Sequence, residues 1–334
     1  RGTRDQVAMT NPLKGSALAL LAVAPILAQV PPPASAPASP AVQAIVTRAK
    51  TAAGAMWAEE ARFFCEAPRA NSPSDPPIEP SRIFDNVYVI GNTGTVVYVI
   101  RTSDGLVMID ALGANQVESV LLPGFKALGL DPAQVKAIIL GHGHGDHFGG
   151  SAFMQERYGA KVFVSAADWT LMENPPPARG GRQGGPPTPR PKRDQVMVDG
   201  QAIVVGDLTV LPVSIPGHTP GSMGFIFPVK DNGRTHMAAL FGGTVLTPGI
   251  ISDEGLQTYL QSVARFKEAT RKAKVTVEIQ NHPLMDPIQA KLDRLPAWRN
   301  GRANPFVVGE AGYQAFLEVM SICTEANIAR RKQN

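Results

Sequence analysis

The chain has 334 residues, of which 44% are hydrophobic and 18% are charged. This supply of apolar residues is enough for one large domain or two small ones, and no segment is biased enough to predict a fibrous protein. The formal net charge is only +4 and the basic residues are scattered, so the charge pattern predicts no nucleic-acid-binding surface.

The N-terminal residues are predicted to lie outside the fold. Met9 is a candidate start, and Lys14 is followed by a short apolar run, Ala17–Ala28. Such a run is typical of a secretory signal peptide, because a membrane-spanning helix needs about 20 residues. An uncleaved membrane anchor is the alternative. We expect residues 1–28 to be a leader and signal peptide, and the mature protein to be periplasmic or secreted, without membrane association.

A linker is predicted after the signal peptide. Pro31–Pro40 is rich in Pro, Ala and Ser, a composition typical of an extended, solvated chain. We expect no packed structure before about Ala41. The linker is assigned to residues 29–45 and the folded domain to residues 46–334.

The two cysteines, Cys65 and Cys323, lie near opposite ends of the predicted domain. An even number of cysteines in an exported protein favours a disulfide bond. Two buried free thiols are the alternative. Neither cysteine has a His or Cys neighbour at ligand spacing, so a metal site on them is not predicted.

The residues from 83 to 140 predict strands with one helix among them. Asp104-Gly105 is a tight-turn sequence, so the strands on either side of it are predicted to form a hairpin. The predicted strands are Ile83–Ile90, Thr95–Arg101, Leu106–Asp110 and Val135–Leu140, and the predicted helix is Gln116–Leu128.

The second half repeats this order of strands followed by helices. Its predicted strands are Ala202–Val205, Leu208–Val213, Met223–Val229, His236–Phe241 and Val275–Ile279, and its predicted helices are Leu256–Ala273, Ile288–Leu295 and about Ala311–Arg331. Strand-rich halves that are each covered by helices favour an α/β fold, an αβ/βα sandwich of two mixed β-sheets flanked by helices.

A loop of about 20 residues is predicted at Asn174–Arg193, because Pro and Gly are too frequent there for a helix or a central strand. It carries five basic residues and no apolar anchor, so we expect it to be mobile. Its charge would attract an anionic substrate; a solvated linker is the alternative.

The most informative stretch is Gly141–His147, which places His142, His144, Asp146 and His147 within six residues, directly after a predicted buried strand. The interleaved glycines allow the backbone to turn sharply, so that the side chains can converge. Imidazole and carboxylate groups are ligands that zinc prefers. The stretch therefore predicts a zinc site, with a solvated His-rich surface tract as the alternative.

Two later histidines also follow predicted strands. His218 lies in a Pro- and Gly-rich turn, and His282 follows a short apolar strand. Of the six histidines in the chain, only His236 lies within a strand-like run, so we interpret His236 as structural.

The HxHxDH pattern at 142–147, the GHTPGS turn at 217–222 and the final strand-end His282 together resemble the metallo-β-lactamase superfamily. The order and spacing are most similar to the third subclass of true metallo-β-lactamases, over roughly residues 80–300. The resemblance implies a zinc-dependent hydrolase that binds two zinc ions and uses a metal-bridging hydroxide. It assigns His142, His144 and His218 to the first zinc, and Asp146, His147 and His282 to the second.

Two further residues gain expected roles from the resemblance. Asp110 matches a buried family aspartate, which we expect to orient the ligands or their loop; a simple turn aspartate is the alternative. Asp146 is expected to act in catalysis as well as in zinc binding, by orienting the nucleophile or moving its proton.

The segment from 241 to 246 bears on the substrate. Gly243 stands where thioesterases and phosphodiesterases of the superfamily place a metal-bridging aspartate, which argues against those classes. Thr244 and Leu246 stand where the third subclass usually has two serines that hold the β-lactam carboxylate. Thr244 is therefore predicted to be a catalytic-site residue that donates to substrate, whereas the second donor is lost.

These observations predict an exported dizinc hydrolase that opens a cyclic amide or ester of a small molecule, with a β-lactam as the first expectation and antibiotic resistance as the consequence. An acyl-homoserine lactonase or another lactone or ester hydrolase is the alternative. A weakly catalytic zinc-binding scavenger is a third, which the complete set of six ligands disfavours. We expect a monomer that binds no nucleic acid.

Overall fold

The computed structural model describes residues 39–66, 75–175, 188–244 and 251–333. The predicted leader and most of the predicted linker lie outside these ranges. Helix α1 (Pro40–Ala53) begins inside the segment assigned to the linker, six residues before the expected domain start at residue 46. The side chain of Ser39 accepts a hydrogen bond from Val42 N, and Pro40 is the first helical residue. Both are ordinary helix-start features.

Within the described ranges, seven strands form the first sheet, in their order along the chain. The first four are antiparallel to one another, and the last four are parallel. They are β1 (Ser81–Arg82), β2 (Val87–Gly91), β3 (Val96–Thr102), β4 (Gly105–Ile109), β5 (Val135–Ile139), β6 (Lys161–Ser165) and β7 (Gln195–Met197).

Five strands of the described chain form the second sheet, also in chain order. The last pair is parallel and the others are antiparallel, so both sheets are mixed. The strands are β8 (Ile203–Val205), β9 (Leu208–Ser214), β10 (Met223–Asp231), β11 (Arg234–Phe241) and β12 (Val277–Glu278).

Helices cover the outer face of each sheet. The remaining ones are α2 (Ala58–Cys65), α3 (Leu122–Ala127), α4 (Gly145–Phe148), α5 (Ser151–Tyr158), α6 (Ala166–Glu173), α7 (Asp253–Lys272), α8 (Ile288–Asp293), α9 (Leu295–Arg299) and α10 (Gly309–Arg331). One apolar cluster lies between the sheets, one packs α3, α5 and α6 on the first sheet, and one packs α1, α2, α7 and α10 on the second. This four-layer arrangement confirms the predicted αβ/βα sandwich.

Several predicted elements differ in detail. The predicted strand Ile83–Ile90 extends only from Val87, because the chain turns before it, with Ile83 N and Phe84 N both donating to Val87 O. The predicted helix Gln116–Leu128 is a π-helical turn, Val117–Leu121, that continues into α3. Pro123 lies at this junction and lacks the N–H that a regular α-helix would use there. The elements that were not predicted are β1, β6, β7, α1, α2, α4, α5, α6 and α9.

The predicted disulfide bond is confirmed. It joins Cys65, the last residue of α2, to Cys323 in α10 across 258 residues of sequence. It therefore ties the N-terminal helices to the C-terminal one. Of the helices in the described ranges, none combines the length and the apolar character that crossing a membrane requires.

Several strand ends meet at one edge of the sandwich. In the first sheet, Asp110 follows β4 and the histidine-rich loop follows β5. In the second sheet, His218 follows β9, Gly242 follows β11 and His282 follows β12. The predicted site residues therefore come together although they lie up to 172 residues apart.

Candidate metal centre

The loop after β5 presents three histidines and an aspartate in a short space. His144 precedes the single turn of α4, and His147 N donates to His144 O at 3.0 Å. A Cβ atom on Gly141 would lie 2.9 Å from Gly242 O and 3.0 Å from Gly242 Cα. Glycine is thus required at Gly141 for the first sheet to approach the strand end of the second.

Three histidines form the first candidate metal-binding group. The ligand atoms of His142, His144 and His218 all lie within 4.8 Å of one another. His218 Nε2 is 3.1 Å from His142 Nε2 and 3.1 Å from His144 Nδ1. A tetrahedral zinc ion with bonds of 2.0–2.1 Å would separate its nitrogen ligands by roughly 3.3 Å, so this spacing fits zinc.

The second candidate group lies beside the first. His142, Asp146 and His147 also offer ligand atoms within 4.8 Å of one another. His147 Nε2 is 3.0 Å from His282 Nε2 and 3.5 Å from Asp146 Oδ2. The fold thus brings together all six predicted ligands.

Hydrogen bonds orient the imidazole rings so that a nitrogen of each faces the cluster. His147 Nδ1 lies 2.7 Å from Asp110 Oδ2, His142 Nδ1 lies 2.6 Å from Gly242 O, and His282 Nδ1 lies 2.9 Å from Gly94 O. Each Nδ1–H donates to an oxygen, which leaves the Nε2 lone pair for a metal. These contacts fit a metal site better than a solvated histidine tract.

Asp110 is buried and makes three contacts around the site. Its Oδ1 accepts from Gly141 N at 2.8 Å, and its Oδ2 accepts from the Asn281 amide at 2.8 Å as well as from His147. The backbone at Asp110 is left-handed, with φ of +63°, a conformation that is strained for a non-glycine residue. These contacts match the orienting role expected for Asp110.

The electrostatics prepare the imidazoles to bind a cation. Burial lowers the pKa of His142 well below its usual value, and burial together with the charge of His147 lowers the pKa of His282 to about 4. Burial would also lower the pKa of His147, but the carboxylates of Asp146 and Asp110 raise it. Neutral imidazole is the form that binds a metal.

Asp146 stays ionised in this surrounding. Burial alone would raise the pKa of its carboxyl group, but the nearby His147, His282 and His144 hold that pKa well below its usual range. A carboxylate this acidic is a good metal ligand and a weak base.

Gly243 and Thr244 shape the wall of the site after β11. A Cβ atom on Gly243 would lie 2.9 Å from both His218 Cβ and Ser222 Oγ, so any side chain there would displace one of these two residues. Thr244 is fully buried, and its Oγ1 has no hydrogen-bond partner within the described parts of the chain. The contact of Thr244 with substrate stays a prediction, and Leu246 lies outside the described residues.

The sequence did not reveal Asp168, the third residue of α6. Asp168 is fully buried, and its carboxylate accepts hydrogen bonds from Gly143 N, Thr219 Oγ1 and Gly221 N at 2.7–2.8 Å. No local pattern marks this residue, because its partners belong to two other loops that only the fold brings near.

His236 lies in β11, outside both candidate groups, as the structural interpretation predicted. Its Nδ1 is 3.2 Å from Thr276 Oγ1, and its Nε2 is 3.7 Å from Asp231 Oδ2. His236 is therefore a useful control residue for the cluster.

The predicted mobile loop Asn174–Arg193 is described only at its ends, since residues 176–187 lie outside the described ranges. Arg193 makes two hydrogen bonds of 2.8 Å to the Glu173 carboxylate, and Arg190 donates to the carbonyls of Met172 and Glu173. For residues 188–193 the prediction of an unanchored chain is therefore wrong, because the basic side chains themselves are the anchors.

Comparison with known proteins agrees with the geometry of the cluster. Residues 90–231 match the family model of the metallo-beta-lactamase superfamily. A subclass B3 metallo-beta-lactamase of Bradyrhizobium japonicum superposes with a TM-score of 0.66 at 27% identity, over 78% of this chain and 97% of that one. The chain is therefore similar to the metallo-beta-lactamase superfamily over residues 90–231, and its fold is that of the subclass B3 enzymes. Its fold and its histidine cluster are those of a metal-dependent hydrolase, as predicted.

More distant matches within the superfamily show the fold alone or cover part of the chain. The metallo-beta-lactamase of Legionella gormanii has a TM-score of 0.67 at 21% identity, over 79% of this chain and all of that one. A probable metallo-hydrolase of Bacillus subtilis is 31% identical over 155 residues, which are 42% of this chain and 56% of that protein. An uncharacterized protein of the same organism is 29% identical over 55% of its length. The chain thus spans about half the length of these curated relatives.

Proposed function

We propose that this chain is a hydrolase that holds two zinc ions, one on His142, His144 and His218 and the other on Asp146, His147 and His282. The convergence of six ligand side chains, with three imidazoles oriented by Nδ1–H donation, carries the proposal. Nitrogen and carboxylate donors without cysteine are typical of catalytic zinc sites.

When bound, zinc supplies a Lewis acid that polarises a carbonyl group and activates water near neutral pH. The protein's own residues hold that chemistry in place. Asp110 orients His147, and Gly242 O orients His142. Asp146, whose pKa the neighbouring imidazoles hold well below its usual range, would bind the metal and orient the nucleophile as an anion.

The substrate proposed is a small molecule with a cyclic amide or ester, and a β-lactam is the first candidate. The 27% identity to a subclass B3 metallo-beta-lactamase across most of both chains supports this choice. The crowding at Gly243 supports it too, because a metal-bridging carboxylate of the thioesterase type would displace His218 or Ser222 there.

A lactone or ester hydrolase is the second candidate, and the burial of Thr244 favours it. A β-lactam carboxylate requires hydrogen-bond donors that face the substrate. Thr244 is the residue predicted to supply one, yet it has no exposed surface. A neutral lactone ring would not need this donor.

Export to the periplasm or the medium belongs to the same proposal. The Cys65–Cys323 bond supports it, because disulfide bonds persist in oxidising compartments. The predicted signal peptide at residues 1–28 supports it independently.

The testing experiment loads the chain with zinc, measures metal content, and assays a panel of carbapenems, cephalosporins, homoserine lactones and thioesters. We expect two zinc ions per chain and turnover of one ring class that stops when zinc is chelated. His218→Ala should abolish turnover, whereas the matched control His236→Ala should keep it. Turnover that survives chelation, or metal content near zero, contradicts the proposal; turnover of thioesters alone contradicts the ring substrate.

A further inference from the structure

Two loops that carry metal-ligand histidines meet at one buried carboxylate. Asp168 Oδ2 accepts hydrogen bonds from Gly143 N at 2.7 Å and from Thr219 Oγ1 at 2.7 Å, and Asp168 Oδ1 accepts from Gly221 N at 2.8 Å. The side chain has no exposed surface. A buried carboxylate with three short donors is strongly held, because charge-assisted hydrogen bonds are strengthened where water is excluded.

The local structure is built for this contact. Ser165 caps α6, and its Oγ accepts from Asp168 N at 3.2 Å, so the carboxylate sits in the first turn, where the helix dipole favours an anion. A Cβ atom on Gly221 would lie 2.1 Å from Ser165 Oγ and 2.6 Å from Asp168 Oδ1. A Cβ on Gly143 would lie 3.1 Å from Asp168 O. Glycine therefore lets both backbone segments come close enough to donate.

The partners of Asp168 all lie in the two loops that carry the three-histidine group. Gly143 lies between His142 and His144, Thr219 directly follows His218, and Gly221 lies three residues after His218. A second buried aspartate at the cluster, Asp110, accepts from Gly141 N beside His142, but its side-chain partners lie on the opposite side of the cluster. It bonds His147 directly and holds Asn281, the neighbour of His282.

We propose that Asp168 is a positioning residue that sets the metal affinity of the three-histidine subsite, while Asp110 does so for the subsite of Asp146, His147 and His282. The inference rests on the proposed two-zinc function. Asp168 holds the 142–144 loop and the 218–221 turn at a fixed separation, so the three imidazoles are already gathered before metal arrives. Without the Asp168 carboxylate, metal binding would also have to order the two loops, and this cost would lower the metal affinity.

Asp168→Asn is the test variant, because it keeps the size of the side chain and removes its charge. The amide NH₂ must face at least one of the three donors, so the link between the loops is weakened. Zinc affinity is measured on the full chain by chelator competition, and the occupancy of each subsite is read from anomalous scattering in crystals equilibrated with a limiting chelator. We expect affinity at the three-histidine subsite to fall by about 10–100-fold, with the other subsite unchanged.

Two controls fix the interpretation. Asp194→Asn removes a carboxylate that accepts a backbone hydrogen bond from Val162 N at 3.2 Å at the far end of β6, and it should change neither subsite. Asp110→Asn should lower occupancy at the Asp146, His147 and His282 subsite first. Equal loss at both subsites in Asp168→Asn, or no loss at all, overturns the proposal.

A second variant and a metal-free measurement guard against misfolding and against failure of the zinc assignment. Thr219→Val removes one of the three donors and should give a smaller loss at the same subsite. In metal-free protein, amide hydrogen exchange in peptides covering 141–147 and 216–222 should speed up together in Asp168→Asn and stay unchanged in Asp194→Asn. Exchange unchanged in both peptides overturns the proposal even if the wild-type chain binds no zinc, an outcome that by itself would refute the proposed function.

Discussion

Lys291 Nζ lies 2.6 Å from Glu278 Oε2 in the protein interior, and 2.5 Å from Asp286 Oδ1. Replacing Lys291 with Met would leave two buried carboxylates without their shared cation. Breaking a buried ion pair in this way typically costs about 3–5 kcal/mol, so we expect the free energy of unfolding in urea to fall by that amount. Lys272→Met, at an exposed pair with Glu268, is the control and should change the free energy of unfolding far less, because water screens that pair. Equal effects would contradict the prediction.

Glu60 lies near the same cluster and should make stability depend on pH. Burial, with Asp286 adding to it, raises the pKa of Glu60 from 4.5 to about 7. The native protein then holds a proton that the unfolded chain releases, so the Glu60 contribution is present at low pH and is lost as pH rises from about 4.5 to 7. The free energy of unfolding of the wild type should therefore decline as pH rises, and Glu60→Gln should reduce that decline by roughly 2–3 kcal/mol.

The measurement for Glu60 is urea unfolding from pH 5 to pH 8 in wild type, Glu60→Gln and Glu59→Gln. Only the difference between curves is interpreted, so the titration of the histidines cancels. Glu59 has an exposed side chain and should give the wild-type slope. Parallel curves for wild type and Glu60→Gln would show that the carboxyl group of Glu60 titrates normally.

The Cys65–Cys323 bond closes a very long loop, with 258 residues of sequence separation. The double variant Cys65→Ser with Cys323→Ser should lose roughly 3–5 kcal/mol of stability, because the unfolded chain regains the entropy of that loop. Calorimetry of the oxidised wild type and of the double variant measures this loss of stability. A melting temperature within a degree of wild type would mean that the helices pack equally well without the bond.

The basic residues at the end of the Pro- and Gly-rich loop should contribute to stability and not to substrate capture. Arg190 and Arg193 are already bonded to Glu173 and to the carbonyl end of α6. Replacing both with Ser should lower the melting temperature slightly and leave KM for a carboxylate-bearing substrate unchanged at low salt. A KM that rises and becomes insensitive to salt would instead assign these two residues to the substrate.

The convergence of the candidate ligands could be predicted from the sequence because four of them are nearly adjacent. His142 and His147 lie in one short loop after a strand, so they cannot lie far apart. The turn that holds His218 can likewise be recognised from the Pro and Gly residues next to it. The expected role of Asp110 came from the family resemblance, since its place at a strand end would also suit a simple turn aspartate. The start of α1 could also have been predicted, because Ser39 and Pro40 are typical helix-start residues. The Pro-rich composition before them led instead to the prediction of a linker.

Asp168 and Lys291 could not be predicted, for a physical reason. Each owes its role to partners that belong to other elements of the fold. Asp168 reaches loops 25 and 53 residues away, so its role depends on β6 lying beside β5. In the sequence, Lys291 looks like an ordinary surface lysine of a short helix. Only the packing of α8 against the end of β12 buries it beside Glu278.

The long-range bond between α2 and α10 also has a consequence for the order of assembly. During synthesis Cys65 must wait for 258 further residues before its partner exists. Helices α1 and α2 pack on α10, so they too lack a docking surface until that late helix has been made. The first helices of the domain to leave the ribosome are therefore among the last to find their places.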